Sequence, residues 1–284
     1  MSGGWIDTHH HLWQYKDDDY PWMSEEMTAL RRDFLTPDLE MVAGACEVRA
    51  TIAVQARQRV EETDFLIGSA QASSLIRGVV GWVPLVDRDV EMSLERYADA
   101  ALFKGVRHIL HDEADPFYML REDFNDGIAK LVRYNLCYDL LVFARHLPQT
   151  ITLVDRHPKQ IFILDHIAKP QIATGGDSAW AKNIKALAER DNVFCKISGM
   201  TTEANWAAWS ADLLKPYFDV VLDAFGPGRL MFGSDWPVVT LACDYGRWLR
   251  VVAGWLNELS SDEAEAIRHR TATQVYRLEI APEV

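Results

Sequence analysis

Residues 5–13 read W-I-D-T-H-H-H-L-W, a short apolar run that ends in three consecutive histidines. The run reads as a first β-strand, and the residues at its end decide the fold class. An open, doubly wound sheet would place a glycine-rich turn directly after its first strand. His9, His10 and His11 stand there instead. Side chains two apart on a strand share a face. By that rule Asp7, His9 and His11 point one way and His10 the other, so the triplet is H-x-H with one structural histidine. Two imidazoles at this spacing on a rigid element make half of a metal site.

Seven further apolar runs lie at 50–55, 78–83, 105–110, 138–143, 160–165, 192–198 and 230–234. Several are almost continuous in apolar residues (T-I-A-V-Q-A, Y-D-L-L-V-F-A, I-F-I-L-D-H), as parallel strands covered on both faces are. Helical patterns occupy 60–74, 90–102, 123–135, 179–190, 244–257 and 261–277. The last begins S-S-D-E, with capping hydroxyls and acids in its first turn. Eight strands alternating with helices over 284 residues predict an α/β protein, a (β/α)8 TIM barrel formed as one domain over residues 1–284. Residues 23–38 predict a long loop of the kind that covers a site.

Composition narrows the function. The formal charge of −13 supplies no basic face for nucleic acid or an anionic membrane. No apolar run approaches the ~20 residues of a membrane span. Cys46, Cys137, Cys195 and Cys243 form no C-x-x-C pair. With no signal-peptide pattern at the start, they fit a reducing compartment, and a cytoplasmic location is expected. No oligomeric state follows from the sequence.

In a barrel of this type the active site lies at the C-terminal ends of the strands. The fifth strand ends F-A-R-H at His146, the sixth L-D-H at His166, and the eighth F-G-S-D-W-P with Asp235. An ionisable residue closing an apolar run is costly unless paired, hydrated or bound to an ion. Taken singly, each histidine reads as a hydrogen-bonded strand end and Asp235 as a helix cap. With His9 and His11 they converge on one mouth. Gln55, Trp82, Arg107, Lys169 and Ser198 also fall at strand ends, where they offer groups to a substrate. One of His108 and His111 is expected to face the site, and His157 and His269 the surface.

The words I-D-T-H-H-H-L-W, G-V-R-H, F-A-R-H-L-P, L-D-H-I-A-K-P, K-I-S-G and M-F-G-S-D-W-P occur in order from residue 6 to residue 237. This ordered set resembles the amidohydrolase superfamily, and within it the sugar-lactonase branch of L-fuconolactonase and L-rhamnonolactonase type. The resemblance implies hydrolysis of a small sugar-acid lactone to the open acid. It makes His9 and His11 metal ligands, Asp235 a ligand, a general base or both, and His166 a metal or substrate contact. Two-metal members carry a carboxylated lysine or a glutamate on the fourth strand, whereas this chain reads G-V-R-H-I-L there. One divalent ion, Zn²⁺, is therefore expected, with turnover independent of the ion as an open alternative.

In the mechanism this implies, Asp235 takes a proton from water and returns it to the leaving ring oxygen. Arg107, His146 or His166 donates to the oxyanion. Gln55, Trp82, His108 and Trp236 surround the sugar. The competing readings are decarboxylation of a carboxylated ring, amide hydrolysis, and a barrel that binds a sugar acid without turnover.

Overall fold

The computed structural model describes residues 4–175 and 178–280. Its strands are β1 (Trp5–His10), β2 (Val48–Val54), β3 (Ile76–Gly81), β4 (Phe103–His108), β5 (Cys137–Leu140), β6 (Phe162–Leu164), β7 (Val193–Ile197) and β8 (Leu230–Phe232). They form one parallel sheet in chain order. The sheet curls until β8 meets β1. There His11 N donates to Trp236 O at 2.7 Å and Asp235 N to His9 O at 2.8 Å. This is the expected (β/α)8 TIM barrel, and its seam runs through the residues that the sequence marks as functional.

Helices α1 (Thr36–Gly44), α2 (Val60–Ala72), α3 (Val90–Tyr97), α4 (Glu122–Leu131), α5 (Leu147–Arg156), α6 (Ser178–Ala188), α7 (Ala211–Phe225) and α8 (Tyr245–Leu256) surround the strands. Three of them, α1, α5 and α7, fall outside the expected helical patterns. The β-branched run T-I-T-L-V disguises α5. Its Pro148 sits in the first turn, where a missing N–H costs nothing, and Leu147, Thr150, Leu153 and Val154 are buried. Pro216 interrupts the pattern of α7, yet Leu214, Phe218, Val221 and Phe225 keep one buried stripe, and Ser210 Oγ caps Leu213 N at 3.2 Å. The closing segment starts at the expected polar cap, which forms a capping box in which Glu263 Oε2 accepts from Ser260 N at 2.9 Å.

The barrel interior is layered. Ile6, Ile52, Val54, Val80, Ile163 and Met231 form an apolar floor, closed from below by Tyr276 and Leu278. Above them lies a layer of charged side chains, Asp139, Asp165, Lys196 and Arg107, each at most 2% exposed. The strand-end histidines and Asp235 form the top.

Register shifts interrupt the pairings β1–β2, β2–β3 and β3–β4, and the one within β1 bears on the site. Asp7 pairs with Thr51 but His10 with Ala53, so β1 carries one extra residue between these pairs. The bulge corrects the shared face expected for Asp7, His9 and His11. Ile6 faces the barrel floor and His9 the layer above it. Asp7 instead turns outward, accepting from Ser234 N at 2.8 Å and from Tyr245 Oη of α8 at 2.9 Å. His10 is held by Thr51 at 3.0 Å, and its burial pushes its pKa down to about 3.

No helix among the described residues is long and apolar enough to cross a membrane. The four cysteines are free thiols.

Candidate active site

Four side chains converge at the seam of β8 and β1. His11 Nε2 lies 3.5 Å from Asp235 Oδ1, His9 Nε2 lies 3.9 Å from it, and His166 Nε2 4.0 Å. Each imidazole is held through its other nitrogen. His11 Nδ1 donates to Val54 O at 2.7 Å, His166 Nδ1 meets Ser198 Oγ at 2.9 Å, and His9 Nδ1 lies 3.2 Å from Asp165 Oδ1. Three Nε2 atoms are thus presented to one carboxylate oxygen, as metal-binding histidines are oriented by their outer partners.

Protonation favours the same reading. Burial pushes the pKa of His9 and of His166 well down, so both rings are neutral at pH 7. Burial opposes ionisation of Asp235, but His166, His11 and Lys169 outweigh it and hold its carboxyl below the usual range. Two neutral imidazoles beside an ionised carboxylate are donors of the kind that Zn²⁺ takes. A tetrahedron with Zn–ligand bonds of ~2.0–2.1 Å has edges of about 3.3–3.4 Å, close to the spacings found here. His9, His11 and Asp235 form one triad whose ligand atoms all lie within 4.8 Å of one another, and His9, Asp165 and His166 form a second. The residues fit a metal ion. Arg107 Nη1 borders the same site, 3.3 Å from His9 Nε2.

The loops that carry these groups have unusual backbone. His166, Ile167, Ala168 and Lys169 have φ of 53°, 49°, 62° and 48°, and Asp235 has 59°. L-residues avoid this left-handed region, β-branched ones most strongly, and each such residue costs on the order of 1–3 kcal/mol. The cost is met by packing against neighbours that leave no room. A Cβ on Gly199, itself at φ +64°, would lie 2.6 Å from His166 Nδ1, and one on Gly233 would lie 2.9 Å from His9 Cβ. The glycines of K-I-S-G and F-G-S-D leave the room that His166 and His9 occupy.

Beneath the ligands lies a buried ionic layer that sequence reasoning misses. Lys196 Nζ contacts Asp139 Oδ2 at 2.5 Å, Asp165 Oδ1 at 3.0 Å and His9 Nδ1 at 3.2 Å. Arg107 Nη1 donates to Asp165 Oδ2 at 2.9 Å. Two cations face two carboxylates. Burial alone would neutralise Asp165, but Lys196, His9 and Arg107 overcome it and hold its carboxyl well below the usual range. The signal in the sequence is a lysine and an aspartate inside otherwise apolar strands, V-F-C-K-I and C-Y-D-L.

A cavity of about 390 Å³ opens above the ligands, within the size range of small-molecule sites. His11, His166, Asp235 and Arg107 line it, with Trp22, Met27, His111, Phe143, Lys169, Glu203 and Trp206 among its walls. Trp22 and Met27 come from the long segment after β1, which therefore does cover the site. Of His108, which ends β4, and His111, which follows it, His111 is the one that faces the cleft.

Six expected contacts lie away from the cavity lining, among them Ser198, whose hydroxyl is used in holding His166 Nδ1. His108 follows Arg107 on β4 and so faces outward, where Glu113 Oε1 is 2.6 Å from its Nε2 and Tyr118 stacks on the ring. Trp82 Nε1 donates to His108 Nδ1 at 3.3 Å in the same outer layer. Gln55 is fully buried behind Arg107, and Oε1 accepts from Arg107 Nη2 at 3.2 Å. Trp236 packs edge-on against Phe34, with ring centroids 5.3 Å apart. His146 sits in the turn before α5, where its Nδ1 accepts from Phe143 N at 3.3 Å.

Four candidate donors lie beneath a solvent-reaching cleft at the C-terminal mouth of a (β/α)8 barrel, the place and the residue types of a hydrolase active site. The chain belongs to the amidohydrolase family, whose model matches residues 6–278. It is 39% identical to an L-fucono-1,5-lactonase of Burkholderia multivorans over 284 residues, covering 96% of each chain. To the L-fucono-1,5-lactonase of Burkholderia ambifaria it is 38% identical, covering 86% of this chain and 85% of that one. An amidohydrolase of Burkholderia multivorans solved with bound zinc superposes with a TM-score of 0.93 at 38% identity, covering 97% of this chain and 99% of the other.

Proposed function

We propose that this chain, acting as one barrel domain over residues 1–284, hydrolyses L-fucono-1,5-lactone or a closely related aldonolactone to the open sugar acid. The observation that carries the reading is the convergence of His9, His11 and His166 Nε2 on Asp235 Oδ1 at the floor of the cavity. Full-length relatives with the L-fucono-1,5-lactonase name supply the substrate class. A small neutral lactone is the partner, and the reduced thiols suit a cytoplasmic setting.

His9, His11, His166 and Asp235 would hold a single divalent ion, Zn²⁺, which when bound supplies Lewis acidity to water or to the lactone carbonyl. The other work falls to the chain's own groups. Asp235, ionised and at the cavity floor, accepts the proton of the attacking water as its oxygen bonds to the carbonyl carbon. The carbon–ring oxygen bond then breaks, and the same proton passes from Asp235 to the departing ring oxygen. The new carboxylic acid loses its proton to solvent.

Arg107 is the donor for the oxyanion, since it borders His9 Nε2 and lines the cavity. Asp165 and Gln55 hold its guanidinium before substrate arrives, so no reorganisation is needed as charge develops. Trp22, Trp206 and Phe143 offer apolar faces to the C–H side of a sugar ring.

A pH-indicator assay across L-fucono-, L-rhamnono-, L-arabinono- and galactonolactones tests the reading, because hydrolysis releases a proton near neutrality. Acidification is expected with the L-fucono-1,5-lactone. Asp235→Asn should lower kcat by roughly 10³-fold with melting unchanged. Silence across the panel, or near-wild-type turnover by the variant, would refute it.

A further inference from the structure

The cavity holds a second charged pair to which the hydrolytic steps assign no contact with the reacting atoms. Lys169 ends the left-handed run after β6, and its Nζ contacts Glu203 Oε1 from the loop after β7. Both side chains line the cavity and are only 16% and 20% exposed. The pair is not needed to tie the two loops together. Ala173 N already joins them by donating to Glu203 O at 2.9 Å. Trp206 Nε1 braces the Glu203 loop through Thr202 O at 3.0 Å.

The charge balance bears on which ligands fit. Among the described residues the cavity is lined by two long cationic side chains, Arg107 and Lys169, and each already faces a carboxylate, Asp165 and Glu203 respectively. A carboxylate on the substrate would therefore meet Glu203 and Asp235 without an unpaired cation to receive it. A polyhydroxylated neutral ring meets the opposite situation. An ammonium donates to a hydroxyl oxygen and a carboxylate accepts from a neighbouring hydroxyl, so one ion pair can serve two adjacent ring hydroxyls.

We infer that Lys169 and Glu203 form the sugar-reading element of the cleft, which binds adjacent hydroxyls of a neutral lactone ring and rejects ligands bearing a carboxylate. This rests on the lactonase reading and adds its specificity. Lys169 supplies the donor. Glu203 supplies the acceptor and also cancels the charge of Lys169, so the anionic product is not retained after ring opening. Selectivity of this type uses a repulsive element as well as an attractive one.

Kinetics of Glu203→Gln and Lys169→Met test it, with L-fucono-1,5-lactone as substrate, L-fuconate as product inhibitor and an aldarate monolactone as anionic substrate. Each variant should raise KM for the neutral lactone by roughly ten-fold, the worth of one charge-assisted hydrogen bond, and by more than it lowers kcat. Glu203→Gln alone should also tighten inhibition by L-fuconate about five-fold or more and improve turnover of the aldarate monolactone. Should Glu203→Gln fail to fold, Glu203→Asp, which keeps the charge and withdraws the acceptor, should raise the neutral KM without tightening product inhibition.

KM and product inhibition within about two-fold of wild type in these variants would overturn the inference and leave a structural ion pair. If the wild-type protein hydrolyses no lactone at all, the proposed function fails and the specificity reading goes with it. If it hydrolyses lactones but the variants are silent, only the inference fails.

Discussion

Replacing Lys196 with methionine removes the ammonium that joins Asp139 and Asp165, at 2.5 Å and 3.0 Å, in a layer with no solvent exposure. Asp165 keeps Arg107 at 2.9 Å. Asp139 is left with Tyr276 Oη at 3.2 Å as its polar contact, so the cost concentrates there. Breaking a buried ion pair from one side destabilises by ~3–5 kcal/mol, because the remaining charge is buried without compensation. At about 2–4 °C per kcal/mol, the loss in melting temperature should be roughly 10 °C.

The deficit carries a pH signature. Burial raises the Asp139 pKa to about 6 even though Lys196 opposes the shift, so its removal raises it further. Because the folded value lies above the ordinary aspartate value of 3.8, the native state keeps a proton that the unfolded chain has released. The stability tied to this group is present below the unfolded pKa and is lost as pH rises through the folded one. The variant's deficit should therefore be widest at pH 8 and shrink on acidification toward pH 5. Adding Asp139→Asn should recover about 1–3 kcal/mol of the loss at pH 8, since it removes the stranded charge. Thermal melts from pH 5 to 8 read all of this. A melting temperature within about 2 °C of wild type at pH 8, or a deficit that grows on acidification, would refute the account of the ionic layer.

Further expectations address the site directly. Gly199→Ala places a Cβ 2.6 Å from His166 Nδ1 at a positive φ, so His166 must move. Its kcat/KM should fall by roughly 100-fold while the protein remains folded, and unchanged kinetics would show that the cradle yields. Elemental analysis of the purified protein should find one equivalent of zinc, and His11→Ala and His166→Ala should each lose it. Two equivalents, or retention in both variants, would contradict the single four-donor site. Dialysis against a chelator should lower activity and added Zn²⁺ restore it; activity indifferent to both would remove the ion from the mechanism.

Much of the frame is local and therefore legible. The apolar runs, their spacing and the polar residues closing them mark the barrel and place each strand within a few residues. The α5 and α7 helices escape because β-branched residues and an internal proline hide a stripe that only tertiary burial reveals. Alternation along one strand selects His9 and His11 together, but it misplaces Asp7 because the bulge in β1 adds a residue within that strand. The same alternation, applied to β4, turns His108 outward once Arg107 is known to face in. Trp82 and Trp236 show why a tryptophan near a motif says little by itself: the first ring donates to His108 and the second packs on Phe34, both beside the site.

The order of residues is enough to mark which side chains end the strands, and with that the four candidate donors His9, His11, His166 and Asp235. Strand direction and period are properties of a few consecutive residues, so short words carry them. What those donors rest on and what they face depends on closure of the barrel. Closure brings Lys196 to 3.2 Å from His9 across 187 positions of chain. It also aims His111, Trp22, Lys169 and Glu203 into one cavity from separate loops. The H-x-H of the first strand is a local pattern; its support from Asp165 and Lys196 and the cleft above it exist only because eight strand ends meet on one ring.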